Sequence, residues 1–392
     1  VSVATPIHRT EEATEKRSVR AWLAFDPLLM VAALGLVGCS LVTLNGATSS
    51  HYVQRQAIYA GAGILLCLLV SRFDYSRLRE YRYGFYALMI LSNLVVYGMP
   101  SQLGARRWIP LPFLQVQPSE FGKLLMILAL AGFAVDRARY LHERGTTARI
   151  MLLALVGAMI VIGQPDLGTG LVYIVVAVSV LFFAGTSWKQ LTALAALFVT
   201  AAVLVLAVAP AVGVNVLKTY QKQRLTTFIN PPQVCTPKDQ TCYQLNQSLI
   251  AIGSGEKTGR GVQGATQTKF KFIPEAPEDF VFAVVGETYG FMGAALVLSL
   301  YALLIWRTLR ILTMAKNLFG TLIAGGILAM LMFQVFVNVG MTIGIMPVTG
   351  VPLPLMSYGG SSVLVTFLCL GLLQSIYVQA RAASAGKARV TV

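Results

Sequence analysis

Residues 26–45 read DPLLMVAALGLVGCSLVTLN, an apolar run with one charged residue, at its start. As a helix, such a run reaches about 30 Å at ~1.5 Å per residue, the thickness of a bilayer's hydrocarbon core. It does not alternate polar with apolar, so it is not the strand of a membrane barrel, and helices are the other fold that satisfies its backbone in lipid. Nine further apolar stretches follow, at roughly 56–70, 83–98, 118–134, 148–162, 168–185, 190–210, 280–305, 319–345 and 360–379. The stretch 148–162 is short, about 22 Å as a helix. The composition agrees: 56% of residues are hydrophobic and 12% charged, against about 25% charged in soluble domains. The expected fold is an all-α integral membrane protein of about ten transmembrane helices.

Orientation follows from the basic residues. With the N-terminus inside, inner segments hold 19 Lys and Arg, whereas the short outer loops hold Arg55, Arg106 and Arg107 alone. Long loops count little toward this rule. The expected layout has a cytoplasmic tail (1–25), spans one to seven (26–210), a large extracytoplasmic loop (211–279), spans eight to ten (280–379) and a cytoplasmic tail (380–392). The opening residues carry charges of both signs and do not read as a cleavable leader. A net charge of +15 is accounted for by this topology and by attraction to membrane lipid headgroups. No nucleic-acid motif accompanies it.

The inner loops are short and patternless, while the outer ones are rich in Gly, Pro and particular polar residues, which places the chemistry outside. The outer loop 211–279 is too long for a connector and reads as an ordered cap with a helix around Tyr243–Ile252. Its run Gly253-Ser254-Gly255-Glu256-Lys257-Thr258 imitates a phosphate-binding loop. It has Glu256 and Ala251 where that pattern needs glycines, so no nucleotide is expected. Cys235 and Cys242 share this loop and are expected to form a disulfide in an oxidising compartment. Cys39, Cys67 and Cys369 fall in spans, where a buried apolar role is the ordinary one.

Chemistry at the outer face needs an acid or base there. The outer carboxylates are Glu120, Asp166, Asp239, Glu256, Glu275, Glu278, Asp279 and Glu287. Asp239 and Glu256 read as solvated. Asp166 is placed either to cap a helix or to serve a site. Glu120 and Lys123 share one helical face at membrane depth, as a functional pair or a structural ion pair, and Glu287 carries the same two readings. The cluster Pro274-Glu275-Ala276-Pro277-Glu278-Asp279 is the strongest candidate for a general base, because repulsion and partial burial both raise a carboxylate's pKa. Spacing alone does not choose between Glu275, Glu278 and Asp279.

Six segments in order, GARRWI (104–109), QPSEFGK (117–123), QPDLGTG (164–170), YQKQRLTTFINPP with YQLNQSLIAIGSG (220–232, 243–255), FIPEAPEDFVFAVVGE (272–287) and PLPLMSYGGSS (352–362), resemble the SEDS family of shape, elongation, division and sporulation proteins. The AIGSG and QPDLGTG forms favour the RodA type over FtsW. The resemblance implies a peptidoglycan glycosyltransferase that uses lipid II, in the bacterial cytoplasmic membrane, with a class B penicillin-binding protein as partner. It places the family's essential aspartate on Asp279 and matches Glu120, Lys123 and Asp166 to charged positions of other family motifs. The family usually has His-Thr where this chain has Pro277-Glu278, and two acids where it has Glu287-Thr288. Cations are needed at the leaving diphosphate; Arg224 and Arg260 are the favoured ones, and a divalent ion, magnesium or manganese, would share the role. Ser357, Gly359 and Gly360 are expected to support substrate, the glycines by letting backbone approach a headgroup or by forming a tight helix entry. The rival readings are a flippase or transporter of the lipid-linked precursor, for which intramembrane Gln334 and Asn338 would suit, and a non-catalytic scaffold for a transpeptidase.

Overall fold

The computed structural model describes residues 25–100, 107–110, 115–205, 224, 227–228, 240–273 and 276–387. The described helices are α1 (Pro27–Ala47), α2 (Ser50–Arg72), α3 (Arg82–Val95), α4 (Pro118–Asp136), α5 (Arg144–Gly163), α6 (Leu167–Phe183), α7 (Trp188–Val203), α8 (Gln240–Gly255), the short α9 (Gly261–Gly264) and α10 (Thr266–Lys269), α11 (Val281–Met314), α12 (Leu318–Thr342) and α13 (Gly360–Lys387). Two-residue strands Ile109–Pro110 and Gln115–Val116 pair antiparallel before α4. Every expected apolar stretch has its helix. Seven of the helices are long and apolar enough to cross a bilayer; α6 and α7 are shorter, and α3 has 14 residues. The chain is a multi-pass helical membrane protein.

Three boundaries differ from expectation, each for a local reason. α2 begins at Ser50 rather than near residue 56, and only Thr48 and Ser49 separate α1 from α2. α5 starts at Arg144 and runs 20 residues, because Thr146 and Thr147 are buried and the Thr147 hydroxyl donates to Gln190 Oε1 (3.2 Å). The short span predicted there is therefore about 30 Å long. α11 runs on to Met314 and is interrupted at Gly290.

α4, α12 and α13 form the centre, with most of their apolar windows buried. α13 packs on α2 and α4, α12 on α4, α6 and α11, and α11 on α1 and α8. Such all-round burial is why these helices lack an amphipathic stripe. One end of the bundle is rich in arginine. There Asp26 caps α1 by accepting from Leu29 N (3.1 Å) and receives Arg307 Nε (2.8 Å), while Gln374 and the Asp26 backbone exchange two hydrogen bonds. The opposite end, called the loop end, carries residues 115–118, 164–168, 240–273, 276–281 and 343–360.

Candidate active site

The acidic cluster predicted from sequence folds as a turn, 276–279, leading into α11. Glu275 lies outside the described residues. The underside of the turn is apolar: Ala276 and Phe280 are buried with Ala251, Ile273, Val284, Met341 and Val348. Its backbone is pinned from two directions. Tyr358 N donates to Pro277 O (2.8 Å), and Asn338 Nδ2 donates both to Asp279 O (2.9 Å) and to Val351 O (2.8 Å). Asn338 thus ties the acidic turn to the loop following α12. That loop carries Gly350 at φ +72°, a conformation costly to other residues. A Cβ at Gly350 would stand 3.3 Å from Asp279 Oδ2 and 3.9 Å from Arg224 Nη1, and Arg224 Nη1 donates to Thr349 O (3.2 Å). The half-buried carboxylate and the guanidinium therefore flank one bare stretch of backbone.

The segment 352–360 forms a second fixed loop. Ser357 Oγ accepts from Leu353 N (2.8 Å), and Ser357 N donates back to Leu353 O (2.9 Å). Ser40 of α1 holds Met356 O (2.7 Å), Gln56 of α2 holds Ser357 O (3.2 Å), and Tyr301 of α11 holds Pro354 O (2.5 Å). Ser357 is consequently a buried brace rather than an exposed ligand. Gly359 accepts from Val363 N (3.0 Å) and its N–H reaches Gln56 Oε1 (3.5 Å), so Gly359 and Gly360 form a half-buried helix entry. Tyr358 stands edge-on to Tyr52, with centroids 4.8 Å apart. Burial and the nearby Tyr59 push the Tyr358 phenol above its ordinary pKa, against a hydrogen bond with Arg55 that lowers it.

Asp166 takes the cap role and binds two side chains of the neighbouring segment. It caps α6 by accepting from Thr169 N (3.2 Å), and its other oxygen accepts from Gln117 Nε2 (3.3 Å) and Ser119 Oγ (3.4 Å). Gly168 beside it packs against Val351 and Thr349 O, the loop that faces Asp279. Arg107 donates to Gln164 O (3.2 Å) and to Pro165 O. Glu120 and Lys123, one turn into α4, form a buried ion pair of 2.6 Å. Their charges are matched to each other where water is scarce, and removing either partner alone would strand the other.

Glu287 has a different fate. It is fully buried and accepts from Gln267 N (2.8 Å), Thr268 N (2.9 Å) and Thr268 Oγ1 (2.6 Å). It anchors the long connection. Arg260 donates through Nε to Ser254 O (2.8 Å) at the end of α8, and its backbone N reaches Glu287 O (3.0 Å), two helical turns along α11 from Asp279. The structure thus brings together Asp279 and Arg224 but leaves Arg260 with the anchor. Cys242 is disulfide-bonded, and its expected partner, Cys235, lies outside the described residues. Two contributors had no clear mark in the sequence. Asn338 is one amide among several polar residues in spans, and Arg55 reads as a topology signal.

Fold and site define a multi-pass membrane protein whose loop end presents a braced carboxylate beside a cation. The model of the FtsW/RodA/SpoVE family, described as "Cell cycle protein", matches residues 19–382, and the chain belongs to that family. The chain is 34% identical over 357 residues to the peptidoglycan glycosyltransferase MrdB of Escherichia coli K12, covering 90% of this chain and 93% of that protein. It is 34% identical over 384 residues to a probable peptidoglycan glycosyltransferase FtsW of Alkalilimnicola ehrlichii, covering 93% and 92%. Among solved structures it resembles a chain of a peptidoglycan synthase complex, with TM-score 0.76 and 32% identity over 92% of this chain and 99% of the other. It also resembles Thermus thermophilus RodA, with TM-score 0.65 and 30% identity over 91% and 97%.

Proposed function

We propose that this chain is a peptidoglycan glycosyltransferase that polymerises lipid II at the outer face of the cytoplasmic membrane, with both termini cytoplasmic, for cell elongation and shape. The observation that carries the reading is the pairing of Asp279 with Arg224 across Gly350, on backbone held by Asn338 and Tyr358. Asp279 would take the proton from the acceptor sugar's 4-hydroxyl as that oxygen attacks the donor's anomeric carbon. The bond to the polyprenyl diphosphate breaks, and Arg224 stabilises the charge that gathers on the departing diphosphate. With one carboxylate placed for chemistry, direct inversion is the expected stereochemistry.

Asp279 with substrate diphosphate oxygens would suit a magnesium or manganese ion, which favours oxygen ligands. The described residues contain no group of three His, Cys, Asp or Glu arranged to hold one, so such an ion would draw its other ligands from substrate and water. It would supply further charge neutralisation. A class B penicillin-binding protein is the proposed partner, supported by the resemblance to a chain of a synthase complex. The test is to incubate the purified chain, alone and with that partner, with labelled lipid II. Long glycan strands on a gel are expected; lipid II left unchanged in both conditions would contradict the proposal.

A further inference from the structure

α11 is two helices joined at Gly290 (φ +63°, ψ −157°). A restarted helix has unpaired N–H groups in its first turn, and here Phe291 N and Met292 N donate to Glu256 O (2.9 Å) and Lys257 O (3.1 Å) of the long connection. Together with the Arg260 and Glu287 contacts above, these bonds fix residues 256–268 to the break in α11.

The depth of that break can be read from its neighbours. The part of α11 from Phe291 to Met314 is about 36 Å long at ~1.5 Å per residue, enough to cross a bilayer by itself. Tyr289 OH donates to Val42 O (3.4 Å), and the Val262 side chain lies against Gly46, both at the loop end of the 21-residue α1. α1 is about one hydrocarbon thickness long, so its last turn marks the bilayer boundary. Residues 256–272 therefore lie at that boundary rather than above it.

The surface they present there is apolar and basic. Phe270 is 63% exposed and Phe272 42%, with ring centroids 6.0 Å apart. Val262 is 45% exposed, and the adjoining start of the restarted helix shows Phe291 and Met292 at 69% and 67%. Lys257, Lys269 and Lys271 are exposed around them. The positive φ of Lys271 (+55°) folds the Lys269-Phe270-Lys271-Phe272 run back on itself, so that the two rings sit side by side.

We propose that residues 256–272 are a membrane-interface anchor: Val262, Phe270 and Phe272 insert at the headgroup boundary while Lys257, Lys269 and Lys271 meet anionic lipid phosphates. Aromatic rings favour this depth, and clustered lysines favour anionic headgroups. The patch is continuous with the lipid-facing side of a spanning helix. Its abundance of lysine is unlike the core of a protein–protein interface, where lysine is depleted. Through Glu287 and the break at Gly290, the anchor sets the height of the Asp279 turn relative to the bilayer.

The test places Phe270→Trp in the full chain, reconstituted in nanodiscs, and subtracts the emission of the wild-type tryptophans. The added emission is expected to be blue-shifted, quenched by lipids brominated near the headgroup more than by lipids brominated near the chain end, and poorly quenched by aqueous iodide. Raising the fraction of phosphatidylglycerol should strengthen the bromolipid quenching, and Lys257→Gln/Lys269→Gln/Lys271→Gln in the same background should remove that dependence. Iodide quenching without bromolipid quenching would overturn the proposal. So would bromolipid quenching that appears only when a protein partner is absent, since the patch would then be the partner's. Phe272→Trp repeats the measurement should Phe270→Trp not fold.

Discussion

Asp279, in the turn before α11, and Glu287, in the second turn of that helix, stand eight positions apart in very different surroundings. Glu287 is enclosed and accepts three hydrogen bonds from residues 267–268. A carboxylate so engaged is committed to holding two pieces of backbone together. Asp279 is half-buried; its main-chain oxygen is fixed by Asn338, while its side chain faces Gly350 and the Arg224 guanidinium. Fixing an acid through its backbone orients its carboxylate, as the general base proposed here requires. The difference teaches how one short stretch of chain can enclose one carboxylate as an anchor and present another, the proposed base, beside a guanidinium.

Four substitutions would break or sharpen that contrast. Asn338→Leu should have the largest effect, because it removes the tether while leaving α12 apolar. Displacement of a reacting group by about 1 Å can cost on the order of 10²-fold in rate, so polymerisation of labelled lipid II should fall by about that factor. An unchanged rate would show that the tether is dispensable. Gly350→Ala comes next. The added Cβ would crowd Asp279 and Arg224, and a positive φ costs an L-residue roughly 1–2 kcal/mol. Activity should drop about tenfold, near the 1.4 kcal/mol that equals one decade, with the thermal midpoint lowered as well.

Glu287→Gln should act mainly on stability. An amide has one acceptor oxygen where the carboxylate has two, so a donor of residues 267–268 loses its partner at about 1–3 kcal/mol. Hydrogen exchange should quicken in residues 256–272 while polymerisation persists at a reduced rate; unchanged exchange there would remove Glu287 from its anchoring role. Asp136→Asn, at the arginine-rich end, should matter least. Its ion pairs with Arg79 (2.8 Å) and Arg82 (2.6 Å) are partly exposed, and such pairs contribute about 0.2–1 kcal/mol. A thermal shift of a degree or two without loss of activity is expected, and a marked loss of activity would mean that charge at this end reaches the site.

Much of this arrangement is legible in the residues themselves. The helices of the bundle follow from its apolar runs, seven of them long enough to match a bilayer, and the acidic turn stands out because few carboxylates remain once inner segments are set aside. The choice of Asp279 within that turn came from family resemblance, since Glu275, Glu278 and Asp279 look alike in one dimension. What stayed hidden depends on contacts between distant segments. Asn338 reaches Asp279 across 59 positions and Tyr358 reaches Pro277 across 81, and hydropathy carries no trace of either bond. The break in α11 is equally silent, because a glycine in an apolar helix is ordinary and Gly290 acquires its meaning from carbonyls 256 and 257. Arg260 reads as a substrate cation because it lies in the outer loop, and only the fold reveals that its Nε also holds Ser254 O at the end of α8.

The most direct test of the contrast places Asp279→Asn and Glu287→Gln side by side in one lipid II polymerisation assay, with the partner transpeptidase present and both variants verified as folded in detergent. Asp279→Asn should yield no glycan strands, a loss of at least about 10²-fold for removal of a general base, while Glu287→Gln still makes them. Strands from Asp279→Asn at the wild-type rate, or their loss from a folded Glu287→Gln alone, would contradict the assignment of Asp279 as the base.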